Sequence, residues 1–276
     1  MEDNRIVITE AVIDFIENHI EEKLNLTKIA QAVHYSKYHL HRMFTEVSGM
    51  TIRAYVQRRQ LTRAAELLIF SRKAIIDIAV ICGYESQQAF TVAFREMYKK
   101  APADYRKNRI FYPLQLRFRL YKENKRQIYL TKIRLAEYKD ILAWIELVKL
   151  VIDGYPYFDE ADYLMNLKKC IKQKRALILE CEDKAVGIMA FSYRTGNIEF
   201  FGIHPQYRNE GIEEKFLNKL QREFLPQKDI YITTYREKDK ADTGYRIKLK
   251  QLGFIERELL IEFGYPTQRF VLIGKK

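Results

Sequence analysis

Two clusters of hydrogen-bonding side chains stand out in the first hundred residues. The first is Ser36, Lys37, Tyr38, His41, Arg42 and Thr45; the second is Ser86, Gln87, Gln88, Thr91, Val92 and Arg95. All of them except Val92 can hydrogen-bond a base edge or a phosphate, which is the chemistry of nucleic-acid recognition. To act together, the members of each cluster must share the exposed face of one helix. His34, His39 and His41 also lie close in sequence. Their spacing fits no standard zinc pattern and no cysteine is near, so no metal site is expected.

The elements that would position these clusters are duplicated. Ile29-Ala30 aligns with Ile78-Ala79 and Tyr35 with Tyr84 at an offset of 49. Ser36 then aligns with Ser86, Phe44 with Phe94 and Tyr55 with Tyr105 at an offset of 50. Each copy reads as a short helix, a tight turn and a second helix. In copy one the short helix covers 27–33, Ser36 is the N-cap, and Leu40, Met43, Phe44 and Val47 form a buried stripe at i, i+3, i+4 and i+7. In copy two Gly83 supplies the turn, Ser86 caps, and Phe90, Ala93, Phe94 and Met97 repeat the stripe. Copy one has His34 where copy two has Gly83, so its turn is expected to be strained or differently shaped.

Charge points to the same stretch. The chain carries 48 Lys+Arg against 36 Asp+Glu, a net +12. Residues 1–35 are net −4, residues 36–126 hold 19 basic and 7 acidic residues for +12, and residues 127–276 are net +4. A local excess of this size favours an anionic partner. With 47% hydrophobic and 30% charged residues the chain is globular, and bulk disorder is excluded. The most apolar run, 141–152, is interrupted by Glu146 and Lys149, and no membrane span is expected. The acidic start MEDNRIVITE lacks a signal-peptide core, so a cytoplasmic location is expected. Cys82, Cys170 and Cys181 read as reduced structural thiols.

Residues 20–107, through LTKIAQAVHYSKYHLHRMFTEVSGMTIRAYVQRRQLTRAAELL and IIDIAVICGYESQQAFTVAFREMYKKAPADYRK, resemble the DNA-binding domain of the AraC/XylS family of bacterial transcription regulators. The resemblance implies an all-α double helix-turn-helix domain over 1–108, with double-stranded DNA as partner. A long helix over 51–70 would hold two reading helices apart. They would enter successive major grooves about 34 Å apart, one turn of B-DNA. Family base contacts map onto Tyr38, His41 and Arg42, and onto Gln87, Gln88 and Thr91. Val92 stands where several members carry a basic residue.

Residues 109–126 are rich in basic and aromatic residues, with alternation at Leu114, Leu116, Phe118 and Leu120, and read as a linker containing a short extended segment. Beyond it strands and helices alternate. Strands are expected over 128–135, 176–181, 185–193, 197–203, 229–234, 254–263 and 268–274. Helices are expected over 139–151, 160–173, 211–224 and 243–252. This gives a multidomain chain: the all-α domain, then an α+β domain with a mixed sheet over 127–276.

The segment IEFFGIHPQYRNEGIEEKFLNKL resembles the acetyl-CoA-binding segment of the GNAT acyltransferases, and Leu252-Gly253-Phe254 resembles their later helix-to-strand turn. The resemblance makes Ile203, Arg208, Asn209, Gly211, Ile212 and Glu213 the candidate cofactor residues, with acetyl-CoA as candidate cofactor. The bare N–H groups of such a loop cradle a pyrophosphate. Glu213 occupies the last small position of the motif, where its bulk and charge oppose a phosphate. Leu249 occupies the position where family members carry a proton-donating Tyr. Tyr245, one turn earlier, is the candidate substitute and Glu199 the candidate base. Two readings stay open. In one, a DNA-binding regulator carries a non-catalytic GNAT-like module that senses a small-molecule effector or acyl-CoA. In the other, the regulator also works as an acetyl-CoA-dependent N-acetyltransferase. Glu213 and Leu249 favour the first.

Overall fold

The computed structural model describes residues 2–121, 131–151, 159–262 and 264–274. They fall into two compact units, one helical and ending near residue 121, the other built on β-sheet.

Among the described residues the helical unit has seven helices: α1 (Glu2–Asn18), α2 (Leu26–Ala32), α3 (Lys37–Ser48), α4 (Ile52–Phe70), α5 (Ile75–Ile81), α6 (Gln87–Tyr98) and α7 (Pro102–Asn108). The duplication is visible element by element, α2-turn-α3 matching α5-turn-α6. Ser36 accepts the N–H of His39 and Ser86 that of Ala89, so both expected caps form. Leu40, Met43 and Phe44 of α3 and Phe90, Phe94 and Met97 of α6 are buried; Val47 and Ala93, at the edges of the two stripes, are half-buried. Helix α4 is the shared support. Its Tyr55, Leu61, Ala64, Ala65 and Leu68 are buried, and Thr51 caps its start by accepting the N–H of Ala54.

Helix α1, which the sequence reading leaves unassigned, buries Val12, Ile13 and Ile16. It is tied to α4 by Arg59, which donates from Nε and Nη2 to Glu17 at 2.7 and 2.6 Å, and by the Tyr55 hydroxyl at 2.9 Å from the same carboxylate. The side chains of this pair are mostly buried, and two parallel N–H···O bonds fix its geometry.

Residues 110–121 of the expected linker form no strand. They pack on the helices without regular secondary structure. Tyr112, Leu114, Phe118 and Leu120 are buried while Leu116 faces out. Their backbone groups find side chains in place of a partner strand. The Thr62 hydroxyl accepts the N–H groups of Leu114 and Gln115 at 3.1 and 3.2 Å, and Arg59 Nη1 donates to the Gln115 carbonyl at 2.7 Å. The Phe118 ring stacks on Tyr55 at 4.9 Å.

The second unit is α+β. Its elements are β1 (Arg134–Leu135), a 3₁₀ turn (Tyr138–Asp140), α8 (Ile141–Val151), α9 (Glu160–Lys172), β2 (Ala176–Cys181), β3 (Lys184–Phe191), β4 (Ile198–Ile203), α10 (Ile212–Lys219), β5 (Ile230–Tyr235), α11 (Tyr245–Gln251), β6 (Ile255–Glu262) and β7 (Tyr265–Leu272). Of the strand expected over 128–135, residues 128–130 lie outside the described residues, 131–133 are not in a strand, and only Arg134 and Leu135 pair, with Ile178 and Leu177 of β2. The helix expected over 211–224 is α-helical to Lys219 and continues as a π-helical turn, Leu220–Phe224.

The strands form two antiparallel sheets, β1-β2-β3-β4 and β5-β7-β6. Among the described residues, β4 and β5 are linked by one isolated parallel bridge, Asn197 to Tyr231. The mixed character of the sheet therefore rests on that bridge. The register puts helices on both faces of the first sheet. Gly187 pairs with Ile203, and a Cβ on Gly187 would stand 2.7 Å from the Phe216 ring of α10. Gly202 pairs with Ile188, and a Cβ there would stand 2.7 Å from Val151 of α8. Adjacent residues of a strand face opposite ways, so α10 and α8 cover opposite faces.

Candidate nucleic-acid interface and the loop before α10

The exposed faces of α3 and α6 carry the residues singled out in the sequence. Lys37, Tyr38, His41 and Arg42 are exposed, Tyr38 to 89%, and Thr45 is half-buried with its hydroxyl donating to the His41 carbonyl at 2.8 Å. Arg42 Nε lies 3.8 Å from Glu46, a contact loose enough to release the guanidinium. On α6, Gln87, Gln88, Val92 and Arg95 are exposed and Thr91 is half-buried. Ser36 and Ser86 spend their side chains on capping. His39 stacks on Tyr35 with ring centroids 5.9 Å apart. Each of the two helices is thus held from behind by an apolar stripe, and its polar face carries few internal bonds.

His34 resolves the question of the first turn. Its φ is 57°, in the left-handed region that Gly83 occupies at 80°. The hydrogen bonds match as well: Tyr35 N–H to Ala30 at 3.0 Å in copy one, Tyr84 N–H to Ala79 at 2.9 Å in copy two. The turn is therefore strained rather than differently shaped.

In the second unit the loop before α10 has part of what a pyrophosphate needs. Gly211 adopts φ 67° at the N-cap of α10, and a Cβ added there would meet nothing within 4 Å. Arg208 is half-buried and its Nε lies 3.5 Å from the Ile203 carbonyl. Ile203 and Ile212 are buried under the loop, and Asn209 is exposed. Glu213 decides the arrangement. Its side chain is not held out over the loop, as the sequence suggests. It is turned inward, 5% exposed, with Oε2 3.9 Å from Lys248 Nζ on α11. Burial raises its pKa above the ordinary carboxylate range, against the opposing pull of its own backbone N–H, Lys248 and Arg208. Tyr245 is its other neighbour. That hydroxyl is buried without a hydrogen-bond partner, and burial and the Glu213 charge both raise its pKa.

These residues do not fit a pyrophosphate. The backbone N–H at Glu213 and the cations Arg208 and Lys248 already face an internal carboxyl group, and the small side chain that would admit a phosphate is missing. The candidate catalytic groups are not brought together either. Glu199 is exposed and ion-paired with Arg175, whereas Tyr245 lies against Glu213. Leu249 is buried and apolar. Sequence reasoning missed Lys248. Its signal was the spacing of three from Tyr245, which puts both on one face of α11.

A helix-turn-helix domain model matches residues 29–108. The regulatory protein SoxS of Salmonella typhimurium is 39% identical over 99 residues, covering 36% of this chain and 92% of that protein. The transcriptional regulator Rob of the same species is 39% identical over 94 residues, covering 34% of this chain but only 32% of Rob, so the chain spans about a third of that relative's length. A GNAT-family acetyltransferase structure from Bacillus cereus aligns with 53% of this chain and 99% of its own, at 14% identity and a TM-score of 0.42. No helix among the described residues is long and apolar enough to cross a membrane. With the doubled motif intact and nearly the whole of SoxS matched, the chain belongs to the AraC-type family of helix-turn-helix transcription regulators.

Proposed function

We propose that this chain regulates transcription by binding a specific, asymmetric site in double-stranded DNA, with α3 and α6 in successive major grooves. The observation that carries this reading is the pair of capped helices whose outer faces present Lys37, Tyr38, His41 and Arg42 on one and Gln87, Gln88, Thr91 and Arg95 on the other. Two reading helices in one chain remove the need for a palindrome. The basic excess over residues 36–126 supplies the sequence-independent part of the affinity. The test is a gel-shift series with the full chain against the DNA upstream of its own and neighbouring genes. A preferred site is expected, with affinity falling as salt rises at a slope near −0.9 per phosphate contacted. Uniform binding to all fragments defeats the proposal.

The second unit acts in this reading as a sensor or interaction module of GNAT-like design, without acyl transfer. Its support is the inward Glu213, which takes the helix N-terminus for itself, together with Leu249 in place of a proton donor. Titration calorimetry with acetyl-CoA separates this from the bifunctional alternative. The wild type is expected to bind weakly or not at all. Glu213→Gly, which removes a buried carboxyl and frees Arg208 and Lys248, is expected to bind better without gaining turnover. Micromolar affinity in the wild type, with acetylation of any amine, would establish the alternative.

A further inference from the structure

Helix α10 covers the β3 side of its sheet with Phe216 and turns another flank toward the β1–β2 edge. That flank and the strands beneath it border an open cleft of about 390 Å³, lined by Thr131, Lys132, Ile133, Leu179, Lys215, Asn218, Lys219, Arg222 and Glu223. The sheet register explains the floor. Leu179 pairs with Gly187, the residue under Phe216, so Leu179 faces α10. Leu177 lies two residues away on the same face and pairs with Leu135, and Ile133, just before β1, lines the cleft as well.

The walls are strongly cationic. Among the described lining residues four basic side chains meet one carboxylate, Glu223, and that carboxylate is held by Lys219 at 2.7 and 2.8 Å. Lys215, Lys219 and Arg222 follow one another at i, i+4 and i+7, a spacing at which like charges on a helix repel. Burying a core gains nothing from that arrangement. The backbone there is also irregular: Arg222 and Glu223 belong to the π-helical turn Leu220–Phe224, a rare feature that is frequent at functional sites.

We propose that this cleft binds a small phosphate-bearing molecule. Arg222 offers a planar fork and the lysines offer point charges, the combination that grips phosphate oxygens. Leu179 and Ile133 give the rest of such a molecule an apolar floor. The volume is that of an ordinary small-molecule site and admits no duplex. None of Arg208, Gly211, Glu213, Tyr245 and Lys248 lines the cleft, so the proposal is independent of the acyl-CoA question.

The test is calorimetric titration of the full chain with inorganic pyrophosphate at fixed ionic strength, with citrate as a second arm. Pyrophosphate is expected to bind at micromolar concentration and citrate at least tenfold more weakly. Lys215→Gln combined with Arg222→Gln should weaken pyrophosphate at least tenfold. Glu223→Gln, which frees Lys219, should tighten it severalfold, a gain that a misfolded variant cannot produce. Arg208→Gln and Lys37→Gln, at the α10 loop and on α3, should leave it within twofold. Absence of binding, loss of it on Arg208→Gln or Lys37→Gln, indifference to the cleft variants, or citrate binding as tightly as pyrophosphate would each overturn the proposal.

Discussion

The two copies of the helical motif reach one backbone shape by different means. Copy one closes its turn with His34 at φ 57° and ends its reading helix on Gly49 at φ 67°. Copy two does the reverse, with Gly83 at φ 80° in the turn and Lys99 at φ 59° after the reading helix. Each copy therefore holds one left-handed position with the residue that tolerates it and one with a residue that does not. The leading helices differ too. Asn25 caps α2 by accepting the N–H of Lys28, whereas Ala74, at the N-cap of α5, offers no side-chain cap. The reading faces diverge most: cations and a tyrosine on α3, amides and an exposed valine on α6. The two copies share the stripe and the hydrogen bonds of the turn, which packing requires, and differ in where they carry strain and in surface chemistry.

The largest expected effects come from the reading faces. Arg42→Ala and Gln88→Ala should each lower affinity for the preferred site by about 1–3 kcal/mol and relax sequence preference in different halves of it, one helical turn apart. Footprints that change at the same base pairs would abolish the two-groove comparison.

Next come the turns. Gly83→Ala should cost about 1–2 kcal/mol in urea denaturation, because an L residue is strained at φ 80°. The added Cβ would also sit 3.1 Å from Gln60 Nε2 and 3.2 Å from the Glu22 carbonyl. His34→Ala, at the matching position, replaces one L residue by another on an exposed site and should change stability by less than about 0.5 kcal/mol. Equal effects at the two positions would show that the turns are not held alike.

Ala74→Asn should give α5 the cap that α2 has and raise stability by about 1 kcal/mol, with Asn25→Ala losing a similar amount. Smaller gains come from relieving the left-handed strain. His34→Gly and Lys99→Gly should each stabilise by about 0.5–1 kcal/mol, the relief of left-handed strain less the extra freedom of glycine in the unfolded chain. A loss of stability in either variant would mean that the side chain contributes more than its backbone costs.

Much of this molecule is written locally. The double motif, its caps at Ser36 and Ser86 and its stripes through Leu40, Phe44, Phe90 and Phe94 are legible because helical periodicity and capping operate within a few residues. The strand-and-helix order of the second unit is legible for the same reason, with ends that move by a few residues. What the sequence left open involves partners far along the chain. The alternation at 114–120 suggests an extended segment with one apolar side, but the fold buries Leu114, Phe118 and Leu120 together with Gln115 and leaves Leu116 outside, and Thr62 and Arg59 of α4, more than 50 residues earlier, take its backbone bonds. Glu199 reads as a free carboxylate until Arg175 is found beside it. Glu213 reads as an anion over the loop until packing against α11 turns it toward Lys248. In each case the sequence fixes which groups exist and which face of an element they occupy. Where a charged side chain ends depends on desolvation and on a distant partner, and both arise only when the elements pack.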